Sequence, residues 1–184
     1  LMEHFIEIKI KPDAEMRENL LLNKVYTKFH KRLMDLKSSE IGISFPEYSL
    51  KLGVTIRMHG NEKHLKEFQS ENWLGGLKGY CNTSEIHTIP DHVKHRTISR
   101  KQANMTSAKL RRLIKRGNIE QNEIKKYKAE MFKRGIDNPF LELESSSNSH
   151  RHRRYIQFGE IKKVPSAGLF DFFGLSKTAT VPWF

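Results

Sequence analysis

His4-Phe5-Ile6-Glu7-Ile8-Lys9-Ile10 alternates apolar and polar side chains, with Ile6, Ile8 and Ile10 on one face and Glu7 and Lys9 on the other. This is the period of a strand buried on one side. The chain then changes period. Pro12-Asp13, with Glu15 and Glu18 close behind, reads as a helix start, and Leu22, Tyr26, Phe29, Leu33 and Leu36 recur at helical spacing as far as about Ser38. Ile41–Phe45 and Leu52–Met58 read as short strands, 61–69 as a second helix, and Glu85–Ile89 as a closing strand. The order βαββαβ is the split-βαβ, ferredoxin-like pattern. It is shared by many RNA-recognition domains, but the stacking aromatics of an RNA-recognition motif are absent here, and fold alone does not give function.

Beyond this segment, Pro90-Asp91 punctuates the chain and the charge changes. Residues 1–90 hold 13 Lys/Arg against 12 Asp/Glu, while 91–184 hold 20 against 9, so nearly all of the +12 net charge lies in the second half. The expected organisation is α+β throughout: a ferredoxin-like domain over 2–91, then a basic domain over 92–184 with an arginine-rich helix and a small antiparallel sheet. Its elements are read as a strand at Arg96–Ser99, helices at Ser107–Arg116 and 120–134, and strands at Phe140–Leu143, His152–Phe158 and Leu169–Phe173. Gly117 and Gly135 are the helix stops. A localised cationic excess is the footprint of a polyanion-binding protein, with nucleic acid ahead of an anionic membrane. No apolar run approaches the ~20 residues of a membrane helix, so the expectation is a soluble, cytoplasmic protein. Leu1 ahead of Met2 reads as an added residue, and no signal peptide follows. The lone Cys81 excludes an internal disulfide and a structural zinc site and is expected to be an inert, half-buried thiol.

Within Ser107-Ala-Lys-Leu-Arg-Arg-Leu-Ile-Lys-Arg116, Arg112 and Arg116 are four apart, as are Arg111 and Lys115, and Lys109 precedes them; Leu110, Leu113 and Ile114 occupy the opposite side. Clustered like charges repel by a few tenths of a kcal/mol per pair. Phosphates would relieve that repulsion, although a solvated basic face has the same pattern. Arg100 and Gln102, two apart, would share a face of an extended segment, and Arg reads guanine as Gln reads adenine. Such reading on an A-form stem needs its end or a loop junction.

His30 is the histidine that stands out, at the edge of the apolar stripe of the first helix. His4, His59, His64, His87, His92 and His95 fit strand edges, turns or solvated helix faces. His30 is either a structural imidazole or a general base with an ordinary pKa near ~6.5, acting on RNA, which carries its own nucleophile in the 2′-hydroxyl. The run Ser145-Ser146-Ser147 is either a flexible turn or a hydroxyl donor to such a site. His150-Arg151-His152-Arg153-Arg154 adds rings and cations on a strand; metal binding there lacks further ligands, and stacking of His152 on a base is the better reading.

Gly174-Leu-Ser-Lys177 with Val181-Pro-Trp-Phe184, Ile41-Gly-Ile-Ser-Phe-Pro46, and Ile98-Ser-Arg-Lys-Gln102 followed by the Leu-Arg-Arg helix resemble the CRISPR repeat-processing endoribonuclease of type I-F systems. The resemblance runs over essentially the whole chain. It implies metal-independent, cofactor-free cleavage at the base of the repeat RNA stem-loop, retention of the product stem, and assembly with the type I-F surveillance complex subunits. It places the catalytic histidine on His30 and the catalytic serine on Ser145, with Ser147 as the second serine and Ser146 one register step away. Base reading falls on Arg100 and Gln102, and groove insertion on Arg112 and Arg116. The stacking phenylalanine is replaced by His152, beside Arg153, and the active-site tyrosine by Phe173. These departures keep a non-catalytic RNA-hairpin-binding subunit in view as an alternative. Duplex DNA binding is the third reading, disfavoured by the lack of helix-turn-helix spacing.

Overall fold

The computed structural model describes residues 2–102, 105–133, 138–145 and 149–184, the side chains of 132 and 133 excepted. It is a mixed α+β chain with several antiparallel sheets. Strand β1 (His4–Ile10) is followed by helix α1 (Glu18–Leu36), strands β2 (Gly42–Ser44) and β3 (Thr55–Gly60), helix α2 (Glu62–Gln69), a 3₁₀ turn (Gly75–Tyr80), and strand β4 (Cys81–Thr83). The sheet order is β2-β3-β1-β4, with every pairing antiparallel, and a short β5 (His87–Thr88) also pairs with β1.

The first face of this sheet follows from the alternation in β1. Ile6 pairs with Met58, Ile8 with Ile56, and Ile43 with Met58, so the apolar side chains are in register. Leu21, Leu22, Val25, Tyr26, Phe29 and Leu33 of α1 and Leu65 and Phe68 of α2 complete the core with them. Burying each such side chain contributes about 1.5–3 kcal/mol. Helix α1 starts at Glu18 and not at Pro12, because the Asp13 carboxylate accepts from the Glu15 and Met16 amides and holds 13–16 in a turn. The strand expected at Leu52–Met58 begins only at Thr55, after Gly53 at φ +83°. The closing strand expected at Glu85–Ile89 is β4, a few residues earlier, with only His87–Thr88 pairing further along β1. Cys81 is buried, and burial pushes its thiol pKa up.

The second face is covered by the C-terminus. Arg57 donates to the Phe184 carbonyl at 2.7 Å, its guanidinium lies 4.1 Å from the Phe184 ring centre, and Phe5 meets Phe184 edge-on at 5.1 Å. Strand β10 (Val181–Trp183) pairs with β6 (Lys94–Arg96). This cover corrects the reading of His59 as a surface histidine: its ring is 0% exposed, 2.7 Å from the Ser44 hydroxyl. Burial first, then Arg57, lowers its pKa to about 3. The unfolded chain takes up this proton near pH ~6.5, whereas the folded chain resists it, so stability present above pH 6.5 is lost as pH falls. Wild type should lose about 2 kcal/mol more stability between pH 7 and 5 than His59→Gln, read from urea unfolding at the two pH values.

The compact units observed have other bounds than 2–91 and 92–184. One comprises 1–100 together with 139–184, and the other is 101–138. The reason is that the C-terminal strands and the loop between them pack on the first sheet. Phe170, Leu175 and Val181 are buried in the common core. The expected strand Arg96–Ser99 is two strands, β6 and β7 (Ile98–Lys101), in different sheets; β7 heads a three-stranded sheet of order β7-β9-β8, with β8 at Phe140–Glu144 and β9 at Arg151–Phe158. The strand expected at Leu169–Phe173 is a loop.

Unit 101–138 holds helices α3 (Ser107–Lys115) and α4 (Gln121–Lys133). It carries 11 Lys/Arg against 4 Asp/Glu. Thr106 caps α3 by accepting from the Lys109 amide, Tyr127 of α4 holds the Thr106 backbone, and Gly117 at φ +66° ends the helix. Arg134 and Gly135 lie outside the described residues.

Candidate functional site

His30 is half-buried on α1, one residue past Phe29, where the helix turns from core to surface. What meets it there is the loop 169–176, and the loop's shape follows from Asp171 and Gly174. The Asp171 Oδ1 accepts from the Phe173 amide at 2.8 Å and the Leu175 amide at 2.9 Å, the Asp-initiated turn that replaces the expected strand. Gly174 adopts φ +70°, and a Cβ there would lie 3.0 Å from Phe29, so the chain passes close against α1 only because this residue is glycine. The Gly174 carbonyl accepts from Ile43, and the Tyr26 hydroxyl donates to the Phe173 carbonyl at 2.8 Å. Burial raises the Tyr26 pKa, which keeps it a donor.

Two contacts then set the imidazole. His30 Nδ1 lies 2.6 Å from the Phe172 carbonyl. A carbonyl only accepts, so Nδ1 carries the proton and Nε2 keeps its lone pair. The ring also lies parallel to Phe173, with 3.6 Å between centres and 8° between planes. Burial lowers the His30 pKa and the Arg154 charge adds to this, against the Phe172 carbonyl and Asp171, which raise it. His30 is therefore held through Nδ1 and one ring face, burial favours its neutral form, and Nε2 is the nitrogen left with a lone pair.

Ser145 follows directly on β8; its amide donates to the His150 carbonyl and its carbonyl accepts from the Ser149 amide. Strand β8 runs against α1: the Glu142 amide donates to Asn23 Oδ1, two helical turns before His30. A groove of about 450 Å³ lies there, lined in part by Asn23, Lys24, Lys28, Glu142, Glu144 and Arg151. Ser147, like Ser146, lies outside the described residues. On the same three-stranded sheet Arg100 is half-buried in β7, and His152 is exposed on β9 opposite Leu143. Arg153 is already matched, donating to Glu142 at 3.2 Å with its guanidinium 4.4 Å from the Phe140 ring centre.

In the smaller unit, Lys109, Arg111, Arg112, Lys115 and Arg116 are all exposed. Leu110 is the buried residue of the opposite stripe; Ile114, expected to pack with it, is 47% exposed. Gln102 is exposed, just past the end of β7. Among the described residues, no group of three or more His, Cys, Asp or Glu side chains is placed to hold a metal, and no helix is long and apolar enough to cross a membrane.

Sequence reasoning missed four parts of this site: the Phe172 carbonyl, Asp171, Tyr26 beyond its place in the apolar stripe, and Arg154. Only Arg154 left a signal. It occupies an inward position of β9, two residues from Ile156, where the alternation calls for an apolar side chain.

Residues 5–184 match the family model described as CRISPR-associated protein (Cas_Csy4). The chain is 32% identical over 184 residues to the CRISPR-associated endonuclease Cas6/Csy4 of Escherichia coli (strain UTI89 / UPEC), covering all of both chains. It is 32% identical over 187 residues to the CRISPR-associated endonuclease Cas6/Csy4 of Pseudomonas aeruginosa (strain UCBPP-PA14), again over both full lengths. A solved structure of the CRISPR endoribonuclease Cse3 bound to 19 nt RNA aligns at 10% identity and a TM-score of 0.41, covering 98% of this chain and 100% of that one. So slight a likeness leaves the fold to be argued from the strand order itself.

Proposed function

The chain belongs to the Cas6/Csy4 family of CRISPR-associated endonucleases, and from that premise we propose that it cuts precursor CRISPR RNA at the base of the repeat hairpin and keeps hold of the product stem. The observation that carries this reading is the His30 ring, whose Nδ1 proton is committed to the Phe172 carbonyl and whose Nε2 is left as a base. RNA needs such a base to activate its 2′-hydroxyl.

The chemistry is an internal transfer. The 2′-oxygen attacks the adjacent phosphorus as its proton passes to His30 Nε2. The phosphorus to 5′-oxygen bond breaks, and the departing oxygen takes a proton from water. The products are a 2′,3′-cyclic phosphate and a 5′-hydroxyl. No step requires a metal or cofactor. Ser145, with Ser147, holds the reacting hydroxyl in line. Arg100 and Gln102 read bases at the foot of the stem, with His152 and Arg153 against the terminal pair and Phe173 stacked on the His30 ring. Lys109, Arg111, Arg112, Lys115 and Arg116 neutralise its phosphates. The ferredoxin-like first sheet is the platform, and the bound complex is retained by the type I-F surveillance complex subunits.

Cleavage of an end-labelled native repeat hairpin in excess chelator tests this. A single cut, with a 3′ end resistant to phosphatase until the cyclic phosphate is opened, is the expected result. Tight binding without any cut would replace it with the non-catalytic hairpin-binding subunit. Because the base must be unprotonated and the His30 pKa is lowered, single-turnover rates should be flat across neutral pH and fall on the acid side, with a midpoint below the ordinary value of ~6.5. A midpoint above it contradicts the assignment.

A further inference from the structure

Arg154 is a cation where the fold calls for an apolar side chain. It pairs with Leu141 across β8 and β9 and is 6% exposed. Buried charges are ordinarily ion-paired or fully hydrogen-bonded, because removing a cation from water costs several kcal/mol. Among the described residues Arg154 has neither kind of partner, and its Nε is buried with no acceptor. Its neighbour on β7 is the like-charged Arg100, and burial, reinforced by Arg100, lowers the Arg154 pKa. Asp171 is close enough to oppose that effect, but its Oδ1 is taken up by two backbone amides. What Arg154 does touch is Phe173: its guanidinium carbon lies 3.5 Å from the ring centre. Cation-π contact of this kind recovers about 2 kcal/mol when desolvated, which is less than the cost.

The His30 ring centre lies 3.6 Å from the same ring centre. Two groups that close cannot share one face without overlapping, so Phe173 is sandwiched, imidazole on one side and guanidinium on the other. The guanidinium and the imidazole are thus held one aromatic ring apart, a gap that a single phosphodiester spans with hydrogen bonds of about 2.8 Å at either end.

We propose that Arg154 is a phosphate ligand of the cleavage site, its guanidinium donating to a non-bridging oxygen of the phosphodiester whose 2′-hydroxyl His30 deprotonates. This rests on the endonuclease reading above and adds to it a group that meets the negative charge gathering on phosphorus as the 2′-oxygen attacks. It also gives Phe173, which has no hydroxyl, a distinct part: a spacer that orients base and cation from its two faces. The missing anion is the phosphate itself.

The test uses Arg154→Leu in the full-length chain, with three readouts: thermal unfolding, binding to a hairpin with a 2′-deoxy nucleotide at the cut, and single-turnover cleavage of hairpins carrying each phosphorothioate diastereomer there. Losing an unpaired buried charge for an apolar side chain should leave the melting temperature unchanged or raise it. Affinity should fall by roughly tenfold, as for loss of one charge-assisted hydrogen bond to phosphate, while cleavage at saturating RNA falls about 100-fold or more, as for removal of a transition-state donor. Wild type should discriminate between the diastereomers and the variant should not. Cleavage by Arg154→Leu at the wild-type rate, or unchanged discrimination, overturns the proposal. Should that variant fail to fold, Arg154→Lys decides, because it keeps the charge but not the planar donor fork: full activity with unaltered discrimination overturns it equally. A wild-type protein that cuts no hairpin removes the endonuclease reading and this assignment together, whereas equal cutting by wild type and variant removes this assignment alone.

Discussion

His30→Ala should lower single-turnover cleavage of the repeat hairpin by on the order of 10²- to 10⁴-fold, the range expected for loss of a general base, and should leave hairpin affinity nearly unchanged. The separation of the two effects follows from the geometry. His30 is half-buried at the helix edge, with one nitrogen spent on the Phe172 carbonyl and one face on Phe173, so a single nitrogen is left to meet substrate. Removing it takes away the proton acceptor but none of the exposed cations of α3. A loss of affinity equal to the loss of rate would show instead that His30 binds the stem, and a wild-type rate would remove it from the chemistry. Truncation also leaves the Phe172 carbonyl without its donor, so folding should be checked by thermal unfolding, where a cost of about 1–3 kcal/mol is expected.

Arg112→Ala combined with Arg116→Ala should weaken hairpin binding by on the order of 10²- to 10⁴-fold, since each charge-assisted hydrogen bond to phosphate is worth about 1.5–3 kcal/mol. The slope of log affinity against log salt should become shallower by roughly one unit for each cation removed. Stability should move little or rise. Both side chains are exposed on a helix whose like charges repel one another, and no carboxylate is paired with either among the described residues. Filter binding over a salt series settles it: an affinity and slope equal to wild type would place the stem elsewhere. In contrast to His30→Ala, this variant should recover much of its cleavage once RNA is raised above the weakened dissociation constant, because the base and its tautomer are untouched.

Much of the fold was legible in the sequence, as were the residues proposed for the site, and what was legible is local. The alternation of Ile6, Ile8 and Ile10, the stripe from Leu22 to Leu33, the cationic face of 107–116 and the position of His30 at the edge of its stripe all depend on residues within a few turns of one another. The errors have the opposite character. Leu169–Phe173 has the composition of a strand, but the Asp171 carboxylate captures two backbone amides and Gly174 reverses the chain, so turn chemistry outweighed β propensity. His59 alternates with Met58 as a surface residue should, and is buried because the C-terminus, more than a hundred residues later, covers that face of the sheet.

The sequence by itself determined the family, the order of the first six elements, the basic helix and the histidine proposed as the base. Only the tertiary structure decided that the Phe172 carbonyl holds His30 by Nδ1, that Phe173 stands between it and a buried Arg154 whose Nε has no acceptor among the described residues, and that the last strands belong with the first sheet and not with the basic helices. The reason is physical. Periodicity reports what each residue does relative to its own helix or strand, whereas tautomer, desolvation and charge pairing depend on which groups from residues 30, 154 and 173 come within hydrogen-bond or stacking distance, and that is set when the elements pack.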